Sequence, residues 1–206
     1  MATSSRLFQL IEANCRRLKL AADQDITEQL LEYTQELIRW NRRINLTGAK
    51  SEAQFIEGPL FDAMTLIPVW TESSSFVDIG SGGGLPGIPA MLMRPIENAT
   101  LVEPRSKRAV FLRHIAAHLG LFAAIEETRI ESLYPQKWSA AVAQAVFDPL
   151  KWIDLARRYV TPGGYIYVLS SKPVGPLPAD VSEAFAASFE NPLGAARYSY
   201  RLQVLV

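Results

Sequence analysis

The absences in this chain narrow its chemistry. It has one cysteine, Cys15, in 206 residues, so no intramolecular disulfide can form and nothing suggests an oxidising compartment. It has two histidines, His114 and His118. They stand one helical turn apart without Cys or acidic partners, so no metal is expected. Lys plus Arg and Asp plus Glu balance at 21 each, so overall charge gives no support for a polycationic nucleic-acid binder. No apolar run reaches the roughly 18 residues of a membrane span. The first twenty residues lack the unbroken apolar stretch of a secretion signal. A cytoplasmic protein with no membrane attachment is expected. No Gly-Lys-Ser/Thr follows any glycine run, which excludes a P-loop.

What remains is ordinary globular material, about half hydrophobic, long enough to bury roughly 70% of its unfolded surface. Residues 3–47 have helical character. Leu7, Leu10 and Ile11 share one face, and Ile26, Leu30, Tyr33, Leu37 and Trp40 recur at three- and four-residue steps. A further helical stretch over 51–66 is expected to be interrupted at Gly58–Pro59. From Phe76 the pattern switches. Short apolar runs at 76–80, 99–103, 122–127, 140–146, 165–171 and 198–206 alternate with helices closing on Gly120 and on Thr161-Pro162-Gly163-Gly164. Such alternation predicts a mostly parallel, doubly wound α/β sheet. A helical region over 1–70 is expected to pack on a sheet domain over 71–206. The Pro-rich 171–180 segment reads as a loop.

The most informative stretch is FVDIGSGGGLPGIP, residues 76–89. A strand ends in Asp78, then Gly80, Gly82, Gly83, Gly84 and Gly87 follow within eight positions. Glycine lets backbone approach a ligand closely. The spacing also satisfies G-x-G-x-x-G, so a dinucleotide and S-adenosylmethionine are both compatible. Asp78 favours the latter, because a carboxylate beside the loop suits an ammonium and a sulfonium and would repel a pyrophosphate. Glu103 ends the next strand 25 residues later, where it can accept hydrogen bonds from ribose hydroxyls. It marks an adenosine site without choosing between the cofactors. The late Thr-Pro-Gly-Gly turn and the strand after it resemble the end of class I methyltransferases. Two basic clusters, Arg39, Arg42, Arg43 and Lys50, then Arg105, Lys107, Arg108 and Arg113, are solvated faces or a local RNA footprint.

These motifs together resemble the bacterial small-subunit (16S) rRNA guanine-N7 methyltransferases, the glucose-inhibited division protein B family. RWNRRINLTG (39–48) is similar to its W-N-x-x-x-N-L-T signature. FVDIGSGGGLPGIPAMLMRP (76–95) is similar to its cofactor loop, LVEPRSKRAVFLR (101–113) to its ribose strand and following helix, and TRIESL (128–133) to its adenine loop. The resemblance implies a Rossmann-like, mostly parallel seven-stranded class I fold with an N-terminal helical extension. It implies S-adenosyl-L-methionine as cofactor, and a monomer acting on 16S rRNA or the small ribosomal subunit. It places cofactor contacts at Asp78, Gly80, Gly82, Gly84, Leu85, Glu103, Ile130, Glu131 and Gln144. RNA contacts would fall to Arg39, Arg42, Arg43, Arg105, Lys107, Arg108 and Lys172.

The chain also departs from that family. Gly58 and Pro59 replace an Arg-His pair ahead of Asp62. Gln144 stands where the family's fourth strand has arginine. Ser170-Ser171 replaces Lys-Gly, with Lys172 displaced by two. N7 of guanine carries no proton, so no general base is required and catalysis is positioning plus electrostatics. Neutral residues at basic positions therefore bear on RNA grip more than on the cofactor. Three functions stay open on sequence: rRNA guanine-N7 methylation, methylation of another substrate, or non-catalytic binding of S-adenosylmethionine or RNA. The Asn/Asp-Pro-Pro-Tyr/Phe motif of exocyclic-amine methyltransferases is absent. Cys15 is too far from any strand end for cytosine-C5 chemistry, and reads as buried and inert.

Overall fold

The computed structural model describes residues 2–21 and 23–205. Met1, Ala22 and Val206 lie outside them, including the last residue of the expected 198–206 strand. The N-terminal region opens with α1 (Ala2–Arg17) and α2 (Gln24–Asn41). The Asp23 side chain caps α2 by accepting from Ile26 N at 2.9 Å. α3 (Glu52–Phe55) starts on Ser51, whose hydroxyl accepts from Gln54 N at 3.2 Å, while Gln54 Oε1 accepts from Lys50 N at 2.8 Å.

The expected interruption at Gly58–Pro59 does not occur. α3 passes through a π-helical turn over Ile56–Leu60 directly into α4 (Phe61–Met64). Pro59 has no N–H to give and its ring crowds the preceding turn. The helix widens instead of breaking: Phe61 N–H reaches back to Ile56 O. The same carbonyl accepts from the buried Asn14 side chain at 2.8 Å, tying the turn to α1.

The sheet has seven strands in the order β3-β2-β1-β4-β5-β7-β6. β1 (Phe76–Ile79), β2 (Ala99–Val102), β3 (Ala123–Glu126), β4 (Trp138–Ala143) and β5 (Val160–Ser170) are parallel. β7 (Ala196–Val204) runs antiparallel between β5 and β6 (Val181–Glu190). Crossovers are made by α5 (Gly87–Met93), α6 (Ser106–His118) and α7 (Pro149–Ala156). The order reverses between β1 and β4, so a crevice opens at their carboxyl ends.

Alternation along the strands builds two cores. Phe76, Leu101, Ala140, Val142 and Tyr167 face the N-terminal helices, α5 and α6. Val77, Ile79, Val102, Ala141, Ala143, Ile166 and Val168 face α7. Trp70 joins the helical region to the sheet by stacking on Tyr167, with ring centroids 5.0 Å apart.

Three strand expectations need correction. The fourth strand ends at Ala143, not Val146, because Ala145 turns to φ +56°. Residues 161–164 do not end a helix; they form an irregularity inside β5, where Trp138 pairs with Val160 but Ala140 pairs with Tyr165. β6 had no sequence signal, because its three alanines and exposed positions blur the period of two.

Leu30 on α2 is fully buried in the shared core. Leu30→Ala should cost about 2–5 kcal/mol, read as a fall in the urea midpoint with little change in slope.

Candidate functional site

The loop from Gly80 to Pro86 sits at the β1 end of the crevice and turns most of its polar groups inward. Gly80 N and Ser81 N donate to Val102 O at 2.8 and 3.1 Å. Gly82 N donates to Glu103 Oε2 at 3.0 Å, and Gly87 N to Asp78 Oδ2 at 3.0 Å. Tyr33, fully buried on α2, donates its hydroxyl to Gly83 O at 2.8 Å. Gly80, Gly82 and Gly84 have φ of +75°, +55° and +94°, a region that side-chain-bearing residues avoid. A Cβ on Gly87 would lie 2.6 Å from Leu101 and 2.7 Å from Asp78 Oδ2.

The signature RWNRRINLTG braces this loop from outside. Asn41 Oδ1 accepts from Leu46 N and Thr47 N at 2.8 and 3.0 Å, and its Nδ2 donates to Thr47 O at 3.0 Å. The clasped segment sets Leu46 against Gly83, where a Cβ would be 3.4 Å from Leu46 O and 3.1 Å from Leu37. Trp40 packs on Phe111 and His114 of α6, with centroids 5.6 and 4.9 Å away. His114 Nε2 also meets Glu36 Oε2 at 3.0 Å. Partial burial pushes the Glu36 carboxyl up, but hydrogen bonds from His114 and Arg39 outweigh it and hold it below its usual range.

The residues singled out from sequence fall into distinct places. Asp78 is fully buried and faces the helical side; its Oδ1 has no hydrogen-bond partner. Burial pushes its carboxyl up from an ordinary 3.8 to about 8, against the Gly87 hydrogen bond. Glu103 is also buried, and splits its carboxylate between Gly82 N and Arg105 N, the latter at 2.8 Å. Leu85 packs partly buried against the helical core. The Ile130 side chain lies in the α7-side core. Glu131 is exposed and borders a groove with Tyr134, Lys137 and Tyr159, at the amino-terminal edge of the strands. Gln144 leaves β4 toward the π turn, donating from Nε2 to Pro59 O at 3.3 Å.

The basic set divides as well. Arg42, Arg43, Arg105, Lys107 and Lys172 are exposed. Arg39 is exposed and pairs with Glu36. Arg108 turns inward: its Nε donates to Asn45 O at 3.0 Å and a terminal nitrogen lies 3.9 Å from Glu103 Oε2. It therefore ties α6 to the clasped segment above the glycine loop. Cys15 is buried in α1, and burial pushes its thiol up to about 11, too high for a nucleophile.

Two features have no counterpart in the sequence motifs. Val146 lies against Gly80, where a Cβ would be 2.8 Å from its methyl group, and covers that side of the loop. Beyond it opens a cleft of about 260 Å³ lined by residues from α4, the β4–α7 loop, β5 and β7. Of its lining, Asp62, Gln144, Ser170 and Ser171 carried a sequence signal.

Comparison with known proteins is consistent over most of the chain. The family described as rRNA small subunit methyltransferase G (GidB) matches residues 26–174. A ribosomal RNA small subunit methyltransferase G from Myxococcus xanthus (strain DK1622) is 30% identical over 175 residues, 82% of this chain and 81% of that protein. One from Anaeromyxobacter sp. (strain Fw109-5) is 33% identical over 156 residues, 74% of this chain and 73% of that protein. Among solved structures, the O-methyltransferase TomG from Streptomyces achromogenes, in complex with SAM, superposes with a TM-score of 0.53 at 13% identity. The match covers 90% of this chain and 92% of that one. At that identity the likeness is one of fold.

Asp78 generates a pH prediction. With its folded pKa about 8 and an ordinary value of 3.8, the folded chain holds a proton that the unfolded chain releases between those values. Stability therefore falls as pH rises from about 4 to 8 and levels off above. Asp78→Asn removes this slope. The melting-temperature difference, wild type minus variant, should decrease steadily over that window; parallel curves would refute the buried, proton-holding carboxyl.

Proposed function

Because the chain belongs to the rRNA small subunit methyltransferase G family, we propose that it transfers the methyl group of S-adenosylmethionine to N7 of a guanosine in 16S rRNA. The observation that carries this reading is the donor set at the switch point. The Glu103 carboxylate stands under a glycine loop most of whose amides are already bound to protein acceptors, while Asp78, which holds its proton up to about pH 8, anchors the far end of the loop. That arrangement suits a cationic ligand with a ribose. It offers no free amide nest to a pyrophosphate. Glu103 keeps unused acceptor capacity after its two backbone hydrogen bonds, and is the residue to receive the ribose hydroxyls. Gly80, Gly82 and Gly84 give close backbone approach. The bound cofactor supplies an electrophilic methyl group. The chain's residues orient it and exclude water around the crevice.

For the substrate, Arg42, Arg43, Arg105 and Lys107 form one exposed basic rim. Arg42 and Arg43 precede the segment that Arg108 grips at Asn45; Arg105 and Lys107 flank Arg108 at the start of α6. This rim takes the phosphate contacts, and Lys172 extends them from beyond β5. Residues 1–70 act as a cap packed on the sheet domain rather than as an independent binding module. The protein works as a monomer in the cytoplasm. In the described residues, no helix is long and apolar enough to cross a membrane.

The decisive measurement is mass mapping of small-subunit rRNA from cells with and without this gene. Loss of one N7-methylguanosine in the deletion is expected. Identical modification, with purified protein still binding S-adenosylmethionine, would refute the reading in favour of another substrate or of binding alone. A second prediction concerns the rim. Changing Arg42, Arg43, Arg105 and Lys107 together to alanine should weaken RNA binding and reduce the slope of log affinity against log salt by about 3. Calorimetric affinity for S-adenosylmethionine should be retained.

A further inference from the structure

The two halves of the basic rim meet at one carboxylate. Glu103 Oε1 accepts from Arg105 N at 2.8 Å, where the half carrying Arg105 and Lys107 begins. Glu103 Oε2 accepts from Gly82 N at 3.0 Å and lies 3.9 Å from a terminal nitrogen of Arg108. From there the Arg108 Nε–H crosses to Asn45 O at 3.0 Å, just beyond Arg42 and Arg43 in the chain. The same guanidinium closes over the glycine loop, since a Cβ on Gly82 would be 3.6 Å from it.

The segment that Arg108 grips has no frame of its own. Residues 42–50 are neither helix nor strand. The Asn41 side chain holds them from the end of α2. From α6, among the described residues, Arg108 alone hydrogen-bonds to them. Arginine suits this bridge because its Nε–H and terminal N–H groups form a fixed fork that serves two acceptors at once. A lysine ammonium would hold one or the other. The Arg108 side chain is only 22% exposed, whereas Arg105 and Lys107 on either side of it are open to solvent. It is placed to hold protein groups rather than phosphate.

Resting on the function proposed above and deepening it, we infer that Arg108 is a positioning residue that makes cofactor binding and RNA binding cooperative. RNA phosphates on Arg42 and Arg43 fix the 42–50 segment in its clamped position. Arg108 then stays on Asn45 O, and Glu103 stays in place for the ribose. A ribose on Glu103 fixes the same bridge from its other end. Each ligand orders the element that the other needs, so whichever binds second loses less conformational freedom. By linkage the effect is reciprocal.

The test measures radiolabelled S-adenosylhomocysteine by equilibrium dialysis, with and without saturating small ribosomal subunits from the deletion strain. Subunits alone serve as the blank, and cosedimentation checks that they carry the protein. This probe lacks the sulfonium and is net neutral, so plain attraction to RNA charge does not strengthen its binding. Its affinity for wild-type protein should rise on the order of tenfold when the subunits are present. In Arg108→Ala and Arg108→Lys that ratio should fall close to one, although the lysine variant keeps a cation beside Glu103. A purely structural role would weaken binding with and without RNA alike and preserve the ratio, which overturns the inference. So does a wild-type affinity that the bound subunits leave unchanged, a comparison that needs no variant to fold. Protein that fails to bind S-adenosylhomocysteine, or fails to cosediment with the subunits, would instead strike the proposed function.

Discussion

The structure depends on an inward capture: the glycine loop after β1 is tied down through two buried acidic side chains, Gly82 N to Glu103 and Gly87 N to Asp78. Burying a carboxylate is costly unless hydrogen bonds compensate it. For Glu103 the compensation comes from the backbone N–H groups of Gly82 and Arg105; Asp78, with Gly87 N–H on one oxygen and no partner on the other, keeps its proton instead. Loop and acids thus stabilise each other. Asp78 takes the far end of the loop and Glu103 its middle, so strands β1 and β2 hold it between them. Removing either side chain would leave an amide without a partner.

The N-terminal helices gain a function from this arrangement. They share one core with the sheet, and they deliver Tyr33 and the Asn41-clasped segment to the outer side of the same loop. Arg108 closes the brace from α6. The loop is therefore gripped from below by the sheet and from above by the cap. That a tryptophan-asparagine signature far from the glycine motif belongs to the same site follows from packing alone.

Much of this was legible in the sequence, for reasons that are local. Alternation of short apolar runs with helices reports a parallel sheet, because each strand must bury both faces. Asp78, Glu103 and the glycines declare a loop site through their spacing. Other features were hidden. β6 is held by pairing with β7 rather than by its own pattern. Pro59 reads as a break, yet a π turn absorbs it because Phe61 can reach Ile56 O. The direction of Asp78, toward the protein interior, depends on the fully buried Tyr33 and Leu101 around it. Arg108 looks like one more surface cation until Asn45 claims it. The cleft at Asp62, Gln144 and Arg197 draws on three distant stretches, and no window of sequence contains it.

Those separations set a temporal order within the site. The bonds that shape the glycine loop span 9 and 21 residues, Asp78 to Gly87 and Gly82 to Glu103. The Thr65–Ser199 bond beside the cleft spans 134. Distant contacts carry a larger loop-closure entropy and form late. We expect the glycine loop to mature early in folding and the cleft at Asp62 and Gln144 only when β7 inserts between β5 and β6. Pulse-labelled amide exchange would read this as early protection at Gly82 and Gly87 and late protection along β7. Simultaneous protection would remove the kinetic asymmetry. A chain halted between those stages would hold a formed glycine loop and its neighbouring basic rim while the cleft beside β7 was still unbuilt.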